Sequence, residues 1–125
     1  MIAGVGCDMI EVERIERELQ KEGDDFRDSI FTPGEIEYCQ KKRYPAQHYA
    51  ARFAAKEAVF KALSAGYSGG LTWMDVEIQN GPAGQPIVKL SGKVLETTER
   101  LGIRKVLVSL SHTPKLAIAY IILES

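Results

Sequence analysis

The sequence predicts an α+β domain in which an antiparallel sheet packs against one long central helix. Three observations carry this reading. Residues 49–65 contain neither proline nor glycine and are rich in alanine, the best helix former. Residues 105–111 and 116–123 are apolar, strand-like runs joined by His112-Thr113-Pro114-Lys115, a hairpin signal with proline in the turn. Residues 2–8 are small and apolar and read as a further strand that closes on an acid, Asp8.

Taken in order, the first strand holds Gly4 and Gly6, which weaken a strand and mark a bulge or a close approach to its backbone. Asp8 falls where this strand ends, so one plain role for it is to cap the helix that follows. That helix, residues 11–22, has an apolar stripe at Val12, Ile15 and Leu19. Arg14, Arg17 and Lys21 fall together on the opposite side as a basic ridge. The ridge either makes Glu13–Arg17 and Arg14–Glu18 pairs that support the helix or receives an acidic partner.

Residues 26–31 form a short connection with helical character. Thr32-Pro33-Gly34-Glu35 is a helix start, with Thr as N-cap, Pro at the first position and Glu completing a capping box. This helix runs to about Lys42 and ends before Pro45, with Lys41, Lys42 and Arg43 at its C-terminal end. His48 reads as an ordinary surface or packing residue. Beyond the central helix, Gly66, Gly69 and Gly70 make a flexible turn. Residues 73–78 and 87–90 read as strands around a turn-rich loop. Ser91 caps a helix over residues 92–101, which Gly102 stops.

With 125 residues, the chain is expected to form one domain, residues 1–125, large enough for a real core. Hydrophobic residues make up 45% and charged residues 26%, as in soluble globular proteins. A net charge of −1 gives no global field for nucleic acid or membrane. No secretory signal pattern opens the chain, and no apolar run is long enough to span a bilayer. Cys7 and Cys39 lack metal or redox spacing and read as free thiols in a reducing cytoplasm.

The central helix holds the chemistry. It is apolar almost all round, yet carries Arg52, Lys56, Glu57 and Lys61, and unpaired buried charge is costly. Glu57 and Lys61 are four apart and share a face, close to Phe53, Phe60 and Ser64. Arg52 and Lys56 share a different face. An ordinary Glu57–Lys61 helical ion pair would contribute only about 0.3–0.5 kcal/mol. Alternatively, Asp8 and Glu57, carboxylates from two separate elements, suit Mg²⁺ better than Zn²⁺, since no His₃ or Cys₄ set accompanies them. Lys61 would then face the same phosphates as a point charge. Such a set fits phosphoryl transfer, where catalysis is mostly positioning and charge neutralisation.

Three segments resemble, in order and spacing, those of the short, single-domain class of 4′-phosphopantetheinyl transferases, the holo-acyl-carrier-protein synthases. They are Gly4-Val5-Gly6-Cys7-Asp8 running on to Arg14-Ile15; Phe53-Ala54-Ala55-Lys56-Glu57-Ala58-Val59-Phe60-Lys61-Ala62; and Ser111-His112-Thr113 followed by Ala117-Ile118-Ala119. The long class carries a second acid two residues after the first. Here that position is Ile10, as in the short class.

The resemblance implies the 4′-phosphopantetheinyl transferase fold and transfer of phosphopantetheine from coenzyme A to a serine of apo acyl carrier protein. Adenosine 3′,5′-bisphosphate would be released, in the service of fatty acid biosynthesis in the cytoplasm. It implies Asp8 and Glu57 as Mg²⁺ ligands and Lys61 as a catalytic charge. It also implies Glu57, directly or through a metal-bound water, as the base for the serine proton. Arg52, His112, Thr113 and the loop holding Gly84 and Pro86 match positions that hold the nucleotide end. Lys56, Lys61, Ser64 and Gly66 are further coenzyme A contacts. The resemblance implies a homotrimer with sites between subunits, so that one helix could serve two sites. Arg14, Arg17 and Lys21 would meet the acidic carrier protein. The alternative is a non-catalytic module that binds a nucleotide or an acidic protein; a different Mg²⁺-dependent phosphotransferase also stays open, although no P-loop pattern favours ATP or GTP.

Overall fold

Alanine makes the central contact of the fold possible. Pro45–Ala62 form one helix, α4. It starts earlier than the alanine run marks, because Pro45 at the first helical turn has no N–H to leave unsatisfied. Ala50, Ala51, Ala54, Ala55 and Ala58 are at most 3% exposed. Side chains this small let a strand lie almost directly on the helix.

That strand is β1, Ile2–Glu11. A Cβ on Gly6 would overlap the Ala58 carbonyl oxygen and stand 2.9 Å from the Ala62 amide nitrogen, and one on Gly4 would stand 2.8 Å from the Ala62 carbonyl oxygen. The two glycines thus mark a close backbone approach, and the pairing of β1 shifts register between Ile2 and Gly4. The strand runs on past Asp8 to Glu11. Asp8 therefore lies inside it, opposite Ala119, and does not cap the next helix.

The structure, a computed structural model, describes residues 1–21, 24–63 and 72–125. After β1 come α1 (Val12–Lys21), α2 (Asp24–Ile30), α3 (Pro33–Gln40) and α4; then a 3₁₀ turn (Trp73–Asp75), β2 (Val76–Asn80), β3 (Pro86–Leu90), α5 (Gly92–Arg100), β4 (Lys105–His112) and β5 (Leu116–Glu124). All strand pairs among the described residues are antiparallel. They divide into a three-stranded sheet, β1-β5-β4, and a separate hairpin, β2-β3. The central strand β5 alternates: Ala117, Ala119, Ile121 and Leu123 are at most 1% exposed on the α4 side, while Ile118 and Tyr120 face outward. No described helix is long and apolar enough to cross a membrane.

The local start signals hold where they are self-contained. Thr32 and Glu35 form the reciprocal capping box at the head of α3. In α1, Val12 and Ile15 are buried and Arg14, Arg17 and Lys21 are exposed. Two expectations change. Trp73 begins a 3₁₀ turn rather than a strand, because its carbonyl accepts from Lys56 and Asp75 N–H returns to Thr72. Ser91 precedes α5 but makes no side-chain cap, and the Asp75 carboxylate instead occupies the space beside Gly92. Both cysteines are free thiols; burial pushes the Cys39 thiol up to about 12.

Gly6→Ala tests the close approach. The added methyl must push β1 off α4, at a cost of about 1–3 kcal/mol or more. Urea denaturation read by circular dichroism should show the midpoint fall. An unchanged midpoint would mean that the strand does not rest on the helix backbone as described.

Candidate active site

With β1 pressed on α4, the acid two residues beyond Gly6 meets the helix face of Glu57 and Lys61. Lys61 Nζ donates to Asp8 Oδ1 at 2.7 Å and to the Cys7 carbonyl at 3.1 Å. The ion pair that the sequence offered as Glu57–Lys61 is therefore formed with Asp8 instead. Glu57 is half-buried beside both. Its carboxyl is pushed above the ordinary range first by burial and then by Asp8, while Lys61 and Arg14 pull it back. The bond to Asp8 holds the Lys61 ammonium above its ordinary value.

Four side chains from three elements thus share one electrostatic site: Asp8 of β1, Glu57 and Lys61 of α4, and Arg14 of α1. Arg14 comes from the exposed ridge, so the ridge reaches the acid pair. The pairs Glu13–Arg17 and Arg14–Glu18 do not form among the described residues. A cleft of about 500 Å³ is lined by Met9, Ile10, Glu11, Arg14, Lys115 and Leu116.

Lys56 departs from its expected role. It is fully buried, and its three donors go to Glu35 Oε1 at 2.7 Å, the Ile30 carbonyl at 2.8 Å and the Trp73 carbonyl at 3.1 Å. It ties α4 to α2, α3 and the 3₁₀ turn, which leaves no donor for a nucleotide. Burial pulls its ammonium down and Glu35 holds it up. Glu35 in turn accepts from the Thr32 and Ile78 amides, and the Thr32 hydroxyl donates to Glu77.

Arg52 stands on another face of α4. It is 3% exposed, donates to Asn80 Oδ1 at 2.8 Å, and lays its guanidinium 4.0 Å over the Tyr38 ring. Its buried Nε has no hydrogen-bond partner, and no carboxylate pairs with it among the described residues. Asn80 also donates to the carbonyl of Gly84, whose φ of +82° suits glycine in that turn. Pro86 opens β3 opposite Asn80. Arg52 and Gly84 are thereby linked.

His112 joins them from the end of β4. Its ring meets that of His48, which meets Tyr38. The Thr113 hydroxyl accepts from the Lys115 and Leu116 amides and closes the hairpin turn. Ser64 and Gly66 lie outside the described residues. Tyr38 and Asn80 were given no role by the sequence, and His48 read as an ordinary surface or packing residue, although it stands four residues before Arg52 and so on the same helix face.

The family model for the 4′-phosphopantetheinyl transferase superfamily matches residues 4–120. The chain is 47% identical, over 99% of its length and 97% of the relative's, to a holo-[acyl-carrier-protein] synthase of Syntrophus aciditrophicus. A crystal structure of the Neisseria meningitidis holo-[acyl-carrier-protein] synthase is similar with a TM-score of 0.87, at 29% identity and full coverage of both chains (100% and 100%). The Helicobacter pylori synthase in complex with coenzyme A gives 0.83 at 30% identity, covering 96% of this chain and 99% of that one.

The raised Glu57 makes a signed prediction. A carboxyl whose folded pKa is raised adds stability while protonated, and that stability is lost as pH rises through its folded value. With EDTA present, Glu57→Gln should therefore melt above the wild type at neutral pH. The gain should vanish below the ordinary value of 4.5. Thermal melts across pH would read it; a variant less stable than the wild type at neutral pH would show that Glu57 is not under the strain described.

Proposed function

The chain belongs to the 4′-phosphopantetheinyl transferase superfamily, and from that premise we propose that it moves the phosphopantetheine arm of coenzyme A onto a serine of apo acyl carrier protein. The observation that carries the reading is the meeting of Asp8, Glu57 and Lys61 across the contact of β1 with α4. A docking module would not need two carboxylates forced together beside an ammonium.

The donor set fits Mg²⁺. Burial and Asp8 both disfavour charge on Glu57, and a divalent cation held by the two carboxylates would relieve that strain. Mg²⁺ takes one or two carboxylates and completes its shell with waters and substrate phosphates. When bound, the ion would neutralise charge on the coenzyme A diphosphate. The chain's own groups do the rest. Glu57 takes the proton of the carrier serine. The serine oxygen bonds to the β-phosphorus as the bond from that phosphorus to the bridging oxygen breaks. Adenosine 3′,5′-bisphosphate leaves with the bridging oxygen. Lys61 moves from Asp8 to the diphosphate and offsets its charge there.

The nucleotide end goes to Arg52, His112, Thr113, Gly84 and Pro86, with Ser64 and Gly66 as further contacts. A buried guanidinium without a counter-ion supports this, since such a charge is costly until an anion meets it. The acidic carrier protein docks on Arg14, Arg17 and Lys21, which are exposed and free of ion pairs among the described residues. The outer face of the three-stranded sheet supports a homotrimer. Val5, Met9, Ile118 and Tyr120 are 41–64% exposed there, an apolar patch of the kind subunit contacts cover.

The deciding experiment is the intact mass of apo acyl carrier protein after incubation with this protein, coenzyme A and Mg²⁺. A gain of one phosphopantetheine arm, lost with EDTA, is expected. Asp8→Ala and Glu57→Ala should each abolish the gain while leaving the circular dichroism spectrum unchanged; turnover near the wild-type rate in either removes the metal assignment. No gain with any of the proteins returns the chain to a binding role.

Arg14→Glu should raise KM for the carrier protein about tenfold or more and flatten its salt dependence, since like-charge contacts at an interface cost over a kcal/mol. An unchanged KM would leave the ridge without a partner.

A further inference from the structure

The chain has two histidines, and they touch. His48 on the first turns of α4 and His112 at the end of β4 meet edge to face, ring centroids 5.0 Å apart at 69°. The Tyr38 ring of α3 lies 5.9 Å from that of His48 at 72°. Lys42, just beyond α3, holds its Nζ 4.5 Å over Tyr38, and Arg52 of α4 lies over the same ring. Among the described residues, the titratable and charged groups that meet or act on His48 are Tyr38, Lys42, Arg52 and His112. No carboxylate pairs with Lys42, Arg52, His48 or His112 among the described residues. The described acids that do form pairs with lysine near α4 do so elsewhere: Glu35 with Lys56, Asp8 with Lys61 and Glu37 with Lys41.

We propose that His48 is a positioning residue that makes coenzyme A binding proton-linked: a dianionic phosphomonoester seated at Arg52 and His112 draws a proton from solvent onto His48. The proposal rests on the transferase reading. Coenzyme A carries one phosphomonoester, on its ribose; its other two phosphates form the diphosphate directed to Lys61. Burial comes first, followed by His112, Lys42 and Arg52, in holding the half-buried His48 imidazole below its ordinary value. An anion on the cluster cancels the last three influences. His48 then gains charge, and its edge fixes the His112 ring against the phosphate.

The sign follows from linkage. The complex binds more protons than the free protein, so affinity rises as pH falls through the histidine range. Ligands without the phosphomonoester lack the effect.

The test is calorimetric titration of coenzyme A, with Mg²⁺, into the wild type and His48→Phe at about pH 6.5, in two buffers of different ionisation enthalpy. Phenylalanine keeps the aromatic edge between Tyr38 and His112 but takes no proton. The wild type should take up a few tenths of a proton more per site than the variant, roughly the fraction by which one histidine changes charge there. With dephospho-coenzyme A the two proteins should agree. In turnover, KM for coenzyme A should drop more steeply in the wild type as pH is lowered, with kcat unchanged, which a merely structural role would not produce. His48→Gln serves if the phenylalanine variant does not fold. Equal proton uptake by the wild type and the variant, with binding intact, overturns the proposal and leaves the transferase reading standing. Failure of the wild type to bind coenzyme A overturns both.

Discussion

Everything at the candidate active site depends on how closely β1 lies on α4. The strand can rest on the helix because Gly6 has no Cβ to strike the Ala58 carbonyl and because the helix offers alanine along that side. The contact has a direct chemical consequence. Asp8, two residues beyond Gly6, is carried to Lys61 and to the flank of Glu57. Were the strand held off by a methyl group, the two carboxylates would separate and the donor set for a divalent cation would be lost. The small residues of the motifs are there for geometry and the charged ones for chemistry, and neither set works without the other.

A second constraint sets the rotation of α4. Lys56 is buried and spends all three donors on Glu35 and two carbonyls. Buried ion pairs add little net stability, because desolvation offsets attraction, but removing one partner is costly. Their value here is direction. The Lys56–Glu35 pair draws α2, α3, the 3₁₀ turn and β2 to one side of the helix. That leaves the next residue, Glu57, turned about 100° away, toward β1 and α1.

The same helix therefore presents two electrostatic environments. Around Glu57 two carboxylates share an ammonium and the guanidinium of Arg14. Around Arg52 there are cations, two histidines and an aromatic ring, with no acid paired to them among the described residues. The first environment suits a divalent cation and the second an anion, the two ends of a phosphorylated nucleotide carrier. Separation along α4 keeps Arg52 from pairing with Asp8 and Glu57. It also fits the idea that one helix serves two neighbouring sites in an assembly.

Much of this was legible in the sequence, for a common reason. The Thr32–Glu35 capping box, the Pro114 hairpin and the outward basic ridge are settled by neighbours within a few residues. Local periodicity and turn chemistry report them directly. Asp8, Glu57 and Lys61 also stood out, as charges in apolar surroundings. What the sequence left open is what distant segments do to each other. Spacing along α4 allowed a Glu57–Lys61 pair, but the nearer carboxylate came from β1, through a contact across some fifty positions of chain. Asp8 looked like a cap until the strand ran on past it. Lys56 looked like a ligand contact until Glu35 closed over it, and His48 looked ordinary until His112 arrived from the far end of the chain. Charge partners are chosen by distance in space and by burial, and only the tertiary structure decides those.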